Sequence, residues 1–232
     1  ISLLLAARVD PEVKIHLIVA SGAGEEKLMI AATSAGRPRI LLVSLGGTIT
    51  MTAGTGPGIV PTLTGADLVA AVPALAEVAE IEAVSPFRLP GPSLTLAHLR
   101  EVARLLNARL AGDIAGAIVV QGTDTIEETA FVLDLLVGGD KPVVITGAMR
   151  GAEAPGADGP ANLLASVIVA AAPAAHGLGA LVVLNDTIHA ARFVQKASTF
   201  LPSTFASPSG GALGSIIEGT ARIGLRVSRS RV

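Results

Sequence analysis

AGAIVVQGTDTIEET, residues 115–129, is the stretch on which the reading of the fold turns. AGAIVVQ, 115–121, is an apolar run too short for a helix and reads as a buried parallel strand. A turn glycine, Gly122, follows it. Thr125 then stands three residues before Glu128, the pattern of a capping box that starts a helix, and Ile126 to Val137 supply that helix as a crossover. Strand, glycine turn and helix make one βα unit. Downstream the pattern repeats: PVVITG (142–147) is a strand, ANLLASVIVAAA (from Ala161) a helix, and GALVVLN (179–185) a further strand. Upstream, Leu96, Leu99, Val102, Ala103, Leu106 and Leu110 recur at spacings of three and four with polar residues between, which predicts an amphipathic helix over Thr95 to Leu110. EIEAVSPFRL is a weaker strand whose Pro86 marks an edge or a strand end. GADLVAAVPAL is a short helix after Thr64 as N-cap, ending near Pro73, and RILLVSL (39–45) is a buried strand. The fold class is α/β, a mostly parallel sheet flanked by helices on both faces. Ligands of such sheets bind beyond the carboxyl ends of the strands.

The ends of the chain fit this scheme less well. Residues 1–38 hold a strand-like VKIHLIVA and a linker-like TSAGRPR, with no assigned role. After residue 198 LGSIIEGTARIGL predicts a hairpin turning at Gly219, and RVSRSRV reads as a solvated tail. The domain limits expected are therefore an N-terminal extension (1–38), the α/β domain (39–219) and a truncated tail or start of an interdomain linker (220–232).

Half of the 232 residues are hydrophobic and the formal net charge is -2, so a sizeable core is available and no basic field invites nucleic acid or anionic lipid. A small neutral or zwitterionic partner suits this balance better. No cysteine is present, which removes disulfides, thiolate nucleophiles and sulfur-ligated zinc. His16, His98, His176 and His189 show no ligand spacing, so they read as surface or packing residues and no metal or cofactor is expected. The apolar opening ISLLLAARVD lacks a basic leader and a cleavage site, and no stretch reaches the length of a membrane span. A cytoplasmic location is expected.

Four motifs fall at predicted strand ends. SLGGTIT (44–50) turns the backbone sharply on two glycines and presents the hydroxyls of Thr48 and Thr50; by itself it reads more simply as a tight βα turn or half of a nucleotide-binding loop. QGTDTIEET places Thr123 and Asp124 ahead of the helix, leaving Thr125 to the cap. GAMRGAEAPGADGPAN (147–162) is a long polar loop, and NDTIHAARFVQKAST (185–199) contains Lys196.

Taken in order and spacing, these motifs resemble the asparaginase/glutaminase family from about Arg39 to about Gly219. The resemblance implies an amidohydrolase acting on L-asparagine, with L-glutamine as a further candidate substrate. Family elements of the TGGTI, QGTDT, GAMR, ADGPxN and NDT type correspond to 45–49, 121–125, 147–150, 157–162 and 185–187. The implied nucleophile is Thr48, supported by Thr123, Asp124 and Lys196. The implied substrate contacts are Ser93, Thr123, Asp124 and Ala148, with Asp124 pairing the α-ammonium and Ser93 the carboxylate. A threonine hydroxyl must lose its proton to a base before it attacks an amide, and a lysine serves only in its neutral form. Backbone N–H groups beside Thr123 and the Gly46–Gly47 turn are candidates for holding the oxyanion.

Two departures stand out. Many family members carry a tyrosine in the loop after the nucleophile, whereas this chain has no tyrosine and offers only Thr52 and Thr55 there. The family also has a smaller C-terminal domain that completes a neighbouring subunit's site; it does not follow within these residues. A homo-oligomer is thus expected of the full-length parent and little activity of these 232 residues alone. Other readings are a glutaminase, the asparaginase-like subunit of a tRNA-dependent amidotransferase, a non-catalytic amino-acid-binding remnant and, weakly, nucleotide binding through the glycine turn.

Overall fold

The computed structural model describes residues 14–18, 29–33, 36–53 and 59–229, with 14–18, 29–33, 51–53 and 59–61 described by their backbone. Thr55 lies outside the described residues, and of Thr52 only the backbone is described. Two compact units divide at Arg37 and Pro38. In the first, β1 (Lys14–Ile18) pairs antiparallel with β2 (Met29–Thr33). Lys14–Ile18 of the expected strand VKIHLIVA therefore form one strand of an antiparallel pair.

The second unit runs β3 (Arg39–Ser44), β4 (Met51–Ala53), β5 (Ile59–Pro61), α1 (Gly65–Ala70), α2 (Leu75–Val78), β6 (Glu80–Val84), α3 (Leu96–Leu110) and β7 (Gly116–Val120). It continues with α4 (Ile126–Leu136), β8 (Val143–Thr146), α5 (Gly159–Ala171), β9 (Ala180–Leu184), β10 (Thr187–Ala190), β11 (Gln195–Lys196), β12 (Phe205–Ala206), β13 (Gly214–Ile217) and β14 (Thr220–Ile223). Among the described residues eight strands form one sheet in the order β14-β13-β10-β9-β8-β7-β3-β6. The five from β9 to β6 are parallel, and β10, β13 and β14 extend them antiparallel. The mostly parallel sheet flanked by helices is the expected one.

Alternation along the strands builds the two faces. Ile40, Leu42, Ile118, Val120, Val144, Leu181 and Val183 point to one side, where α1, α2 and α5 cover them. Leu41, Val43, Ala117, Val119, Ile145 and Val182 point to the other, under Val102, Leu106 and Leu110 of α3 and Ile126, Ala130 and Leu133 of α4. Central β7, β8 and β9 are buried throughout, while β6 at the edge is not, which agrees with the Pro86 signal.

Helix starts were legible in part. Thr64 and Asp67 close a capping box at α1, and Thr95 and His98 close one at α3, with His98 Nδ1 accepting from the Thr95 N–H at 3.2 Å. His98 is thus a capping residue. Thr125 corrects the expectation: it makes no side-chain cap at α4, and its hydroxyl instead donates to the Gly91 carbonyl at 3.1 Å and accepts from Gln121 Nε2 at 3.1 Å. The hydroxyl ties two loops together rather than satisfying its own helix.

The hairpin turns through Glu218 and Gly219, both at positive φ, and β14 continues the sheet past residue 219. The tail corrects a second expectation. Arg226 donates to the carbonyls of Ala174 and His176, and Arg229 donates to those of Asp134, Val137 and Gly139. Arg229 also faces the carboxylate of Asp134, whose side chain is 3% exposed and is paired with Arg192 as well. Carbonyls left open at the end of α4 and a buried charge both need donors, and Arg229 supplies them. Short arginine runs look alike in sequence whether solvated or pinned.

His189 on β10 is buried, with Nδ1 2.8 Å from Ser207 Oγ and, among the described residues, no hydrogen-bond partner for Nε2. Burial lowers its pKa from 6.5 to about 4. The unfolded chain therefore takes up this proton first, so stability is complete above about pH 6.5 and falls as the pH drops towards 4. The contribution is at most about 3 kcal/mol. We expect urea midpoints measured at pH 7 and pH 4.5 to differ less in His189→Gln than in the wild type. An identical difference in the two proteins would refute the assignment.

Candidate active site

The chain leaves β3 for the edge strand β6 and then returns across β3 to β7, so the strand order reverses between β3 and β7. A crevice opens beyond the carboxyl ends of two strands at such a switch point. Ser44 and Val120 are register partners there. SLGGT and VQGTD therefore leave the sheet side by side.

Close backbone contact brings the two loops together. Gly46 and Gly47 hold φ of 110° and 89°, and a Cβ on Gly47 would fall 2.0 Å from the Gly122 nitrogen. Thr48 and Thr123, the next residue on each loop, start from this contact. Thr48 is half-buried and opens a single 3-10 turn, Thr48–Thr50. Thr50 is not presented to the rim, because its buried hydroxyl donates to the Gly47 carbonyl at 2.8 Å. A third loop, from β6, crosses the end of β3 through the Leu89 N–H to Leu45 carbonyl bond at 2.8 Å. Its 3-10 turn, Gly91–Ser93, packs on the Thr123–Thr125 turn and leaves Ser93 exposed.

Lys196 arrives from β11, 73 positions beyond Thr123. Its Nζ donates to Thr123 Oγ1 at 2.9 Å and to Asp124 Oδ1 at 2.7 Å. The lysine side chain is 15% exposed, whereas that of Asp124 is 62% exposed. One carboxylate oxygen thus holds the lysine while the group as a whole remains open to a ligand. Thr123 is buried. The structure therefore joins Thr123, Asp124 and Lys196 directly and brings Thr48 and Ser93 to them through the glycine contacts. Ala148 is 1% exposed, with its methyl in the core, so its side chain offers nothing to a ligand.

The polar loop 147–162 is mainly scaffolding. Asp158 accepts from the Met149 and Arg150 N–H groups at 3.0 and 2.9 Å, and Asn162 Nδ2 donates to the Gly147 carbonyl at 3.0 Å. Asn162 Oδ1 in turn accepts from the Asn185 N–H at 2.9 Å. One asparagine thereby ties the loop after β8 to the turn after β9. Asn185 and Asp186 adopt positive φ, which lets that turn close the β9–β10 hairpin.

Sequence reasoning missed Glu127, whose carboxylate accepts the main-chain N–H of Lys196. It also missed Gln121, fully buried at the end of β7, whose Nε2 bonds Thr125 and the Gly122 carbonyl. Among the described residues no three His, Asp or Glu side chains gather as metal ligands would, and no helix is long and apolar enough to cross a membrane.

Residues 39–229 match the family described as "Asparaginase, N-terminal". L-asparaginase 2 of Bacillus subtilis (strain 168) is 40% identical over 189 residues, covering 78% of this chain and 50% of the relative. L-asparaginase 2-3 of Saccharomyces cerevisiae is 39% identical over 205 residues, covering 86% and 57%. A crystal structure of a probable cytoplasmic L-asparaginase from Campylobacter jejuni superposes with a TM-score of 0.76 at 32% identity, over 82% of this chain and 58% of that one. The chain spans about half the length of the curated relatives it matches.

Proposed function

This chain belongs to the asparaginase family, and from that premise we propose that it supplies the catalytic groups of an amidohydrolase converting L-asparagine to L-aspartate and ammonia. The carrying observation is the grouping of Lys196 Nζ with Thr123 Oγ1 and Asp124 Oδ1 at the switch point where Gly47 delivers Thr48.

Thr48 is the nucleophile. Its hydroxyl oxygen forms a bond to the carboxamide carbon, the C–N bond breaks, and ammonia leaves carrying the proton that the hydroxyl gave up. Water then cleaves the ester, restoring Thr48 and releasing the carboxylate. Thr123 and Lys196 form the hydrogen-bonded route for the proton, with Asp124 holding the lysine in line. Backbone N–H groups at the Gly46–Gly47 turn and beside Thr123 face the developing oxyanion. The open side of Asp124 takes the substrate α-ammonium, Ser93 takes the α-carboxylate, and Ala148 contributes through its main chain. The site is compatible with some action on L-glutamine, since one methylene alters binding by only about 1 to 3 kcal/mol. The intact protein works as a homo-oligomer in the cytoplasm.

The test is ammonia release from L-asparagine by the intact protein, together with calorimetric titration of the product, L-aspartate. Asp124→Asn is expected to lower kcat/KM by about a hundredfold, as a lysine displaced by about 1 Å would, and to weaken aspartate binding at least about tenfold, because the open carboxylate that takes the α-ammonium is lost. Unchanged aspartate affinity would overturn the α-ammonium role, and a wild type that releases no ammonia would overturn the function.

A further inference from the structure

Lys196 is held at both ends. Its ammonium meets Thr123 and Asp124, while its main-chain N–H donates to the carboxylate of Glu127, 69 positions earlier in the chain. The strand that carries it, β11, is two residues long and among the described residues pairs only with the equally short β12. Next to it, the Ala197 N–H donates to the Thr204 carbonyl at 2.7 Å. The amide of Lys196 itself turns to a side chain on α4, so the short ribbon does not by itself settle where this residue sits.

Glu127 stands three residues after Asp124 and four after Thr123, on the rigid element that follows their 3-10 turn. Through Lys196 they are drawn together: α4 and its leading turn offer a hydroxyl and a carboxylate to the lysine's Nζ and a second carboxylate to its backbone. Glu127 is half-buried, which limits the water that could replace it as acceptor.

We propose that Glu127 is a positioning residue of the amidohydrolase reaction: by accepting the Lys196 N–H it fixes the lysine's backbone at the distance from which Nζ reaches Thr123 and Asp124. This rests on the function proposed above. Glu127 touches no reacting atom in this scheme and acts only through Lys196. Its role needs an acceptor oxygen at that place and not a negative charge, which separates it from a general electrostatic effect.

The experiment uses Glu127→Ala and Glu127→Gln in the intact protein, with steady-state kinetics on L-asparagine and amide hydrogen exchange at Lys196. A positional error of about 1 Å can cost roughly a hundredfold in rate, so Glu127→Ala is expected to lower kcat by about 30- to 100-fold with KM changed less than about threefold. Glu127→Gln keeps an acceptor and is expected to stay within about fivefold of the wild type. Exchange at the Lys196 amide is expected to quicken at least tenfold in the alanine variant and little in the glutamine one. The proposal is overturned by a kcat in Glu127→Ala within threefold of the wild type, by glutamine failing to rescue, or by unchanged exchange at Lys196. Should the wild type release no ammonia, the function falls, and exchange at Lys196 alone upholds or overturns the anchor.

Discussion

Thr48→Ala is expected to lower ammonia release from L-asparagine by about four orders of magnitude or more, because residues that act as a nucleophilic unit fail together when the nucleophile is lost. Nothing else in the site should move. Thr48 is half-buried, and the contact that seats its loop is made by Gly47 against Gly122, so stability should change by less than about 1 kcal/mol. Thr123, Asp124 and Lys196 keep their mutual hydrogen bonds in such a variant. Aspartate binding should accordingly survive. Thr48→Ser retains a hydroxyl and should retain most of the activity, which separates loss of the nucleophile from loss of shape. Hydroxylamine offers a second readout, since it intercepts an acyl-enzyme to give the hydroxamate, and the alanine variant should form none. Near-wild-type turnover or hydroxamate formation in Thr48→Ala would refute covalent catalysis at this residue.

Gly47→Ala is expected to damage fold and activity together. At φ 89° a side chain is strained, at a cost of about 1 to 2 kcal/mol. The larger problem is space: the added Cβ would lie 2.0 Å from the Gly122 nitrogen and 2.4 Å from its α-carbon. Those are backbone atoms at the end of β7, and no rotamer change can clear them. Forced separation of the two loops should cost at least about 4 kcal/mol and lower the melting temperature by about 10 °C. It should also move Thr48 away from Thr123 and abolish measurable turnover in whatever remains folded. Calorimetry beside the activity assay checks both parts. A melting temperature within 2 °C of the wild type, on the order of the shift from a neutral surface change, would show that the two loops do not need this contact.

Much of the fold was legible because its signals are local. The seven buried or nearly buried residues of AGAIVVQ are contiguous, and the three-and-four spacing of Leu99, Val102, Ala103, Leu106 and Leu110 lies within one helix. Thr64 with Asp67 shows its capping role within four residues. Thr125 with Glu128 spells a comparable local pattern, yet the Gly91 carbonyl, 34 positions away, competed for the hydroxyl and won. The antiparallel extension through β13 and β14 was visible as a hairpin, but its attachment to β10 was not. Local patterns state what a segment can do and leave open which distant group will be its neighbour.

The sequence by itself determined the alternation of short apolar runs with helices, the glycine turns at strand ends and the family that the motifs identify. Only the tertiary structure decided that β3 and β7 are neighbours, so that Gly47 and Gly122 touch. The same holds for Lys196 reaching Thr123 and Asp124, for Glu127 taking the lysine's amide, and for Arg229 closing over Asp134 instead of lying in solvent. The physical reason is one of range. Periodicity and capping depend on dihedral angles and contacts within a few residues, whereas these pairings depend on where each crossover returns the chain, which is settled by packing both faces of the sheet at once.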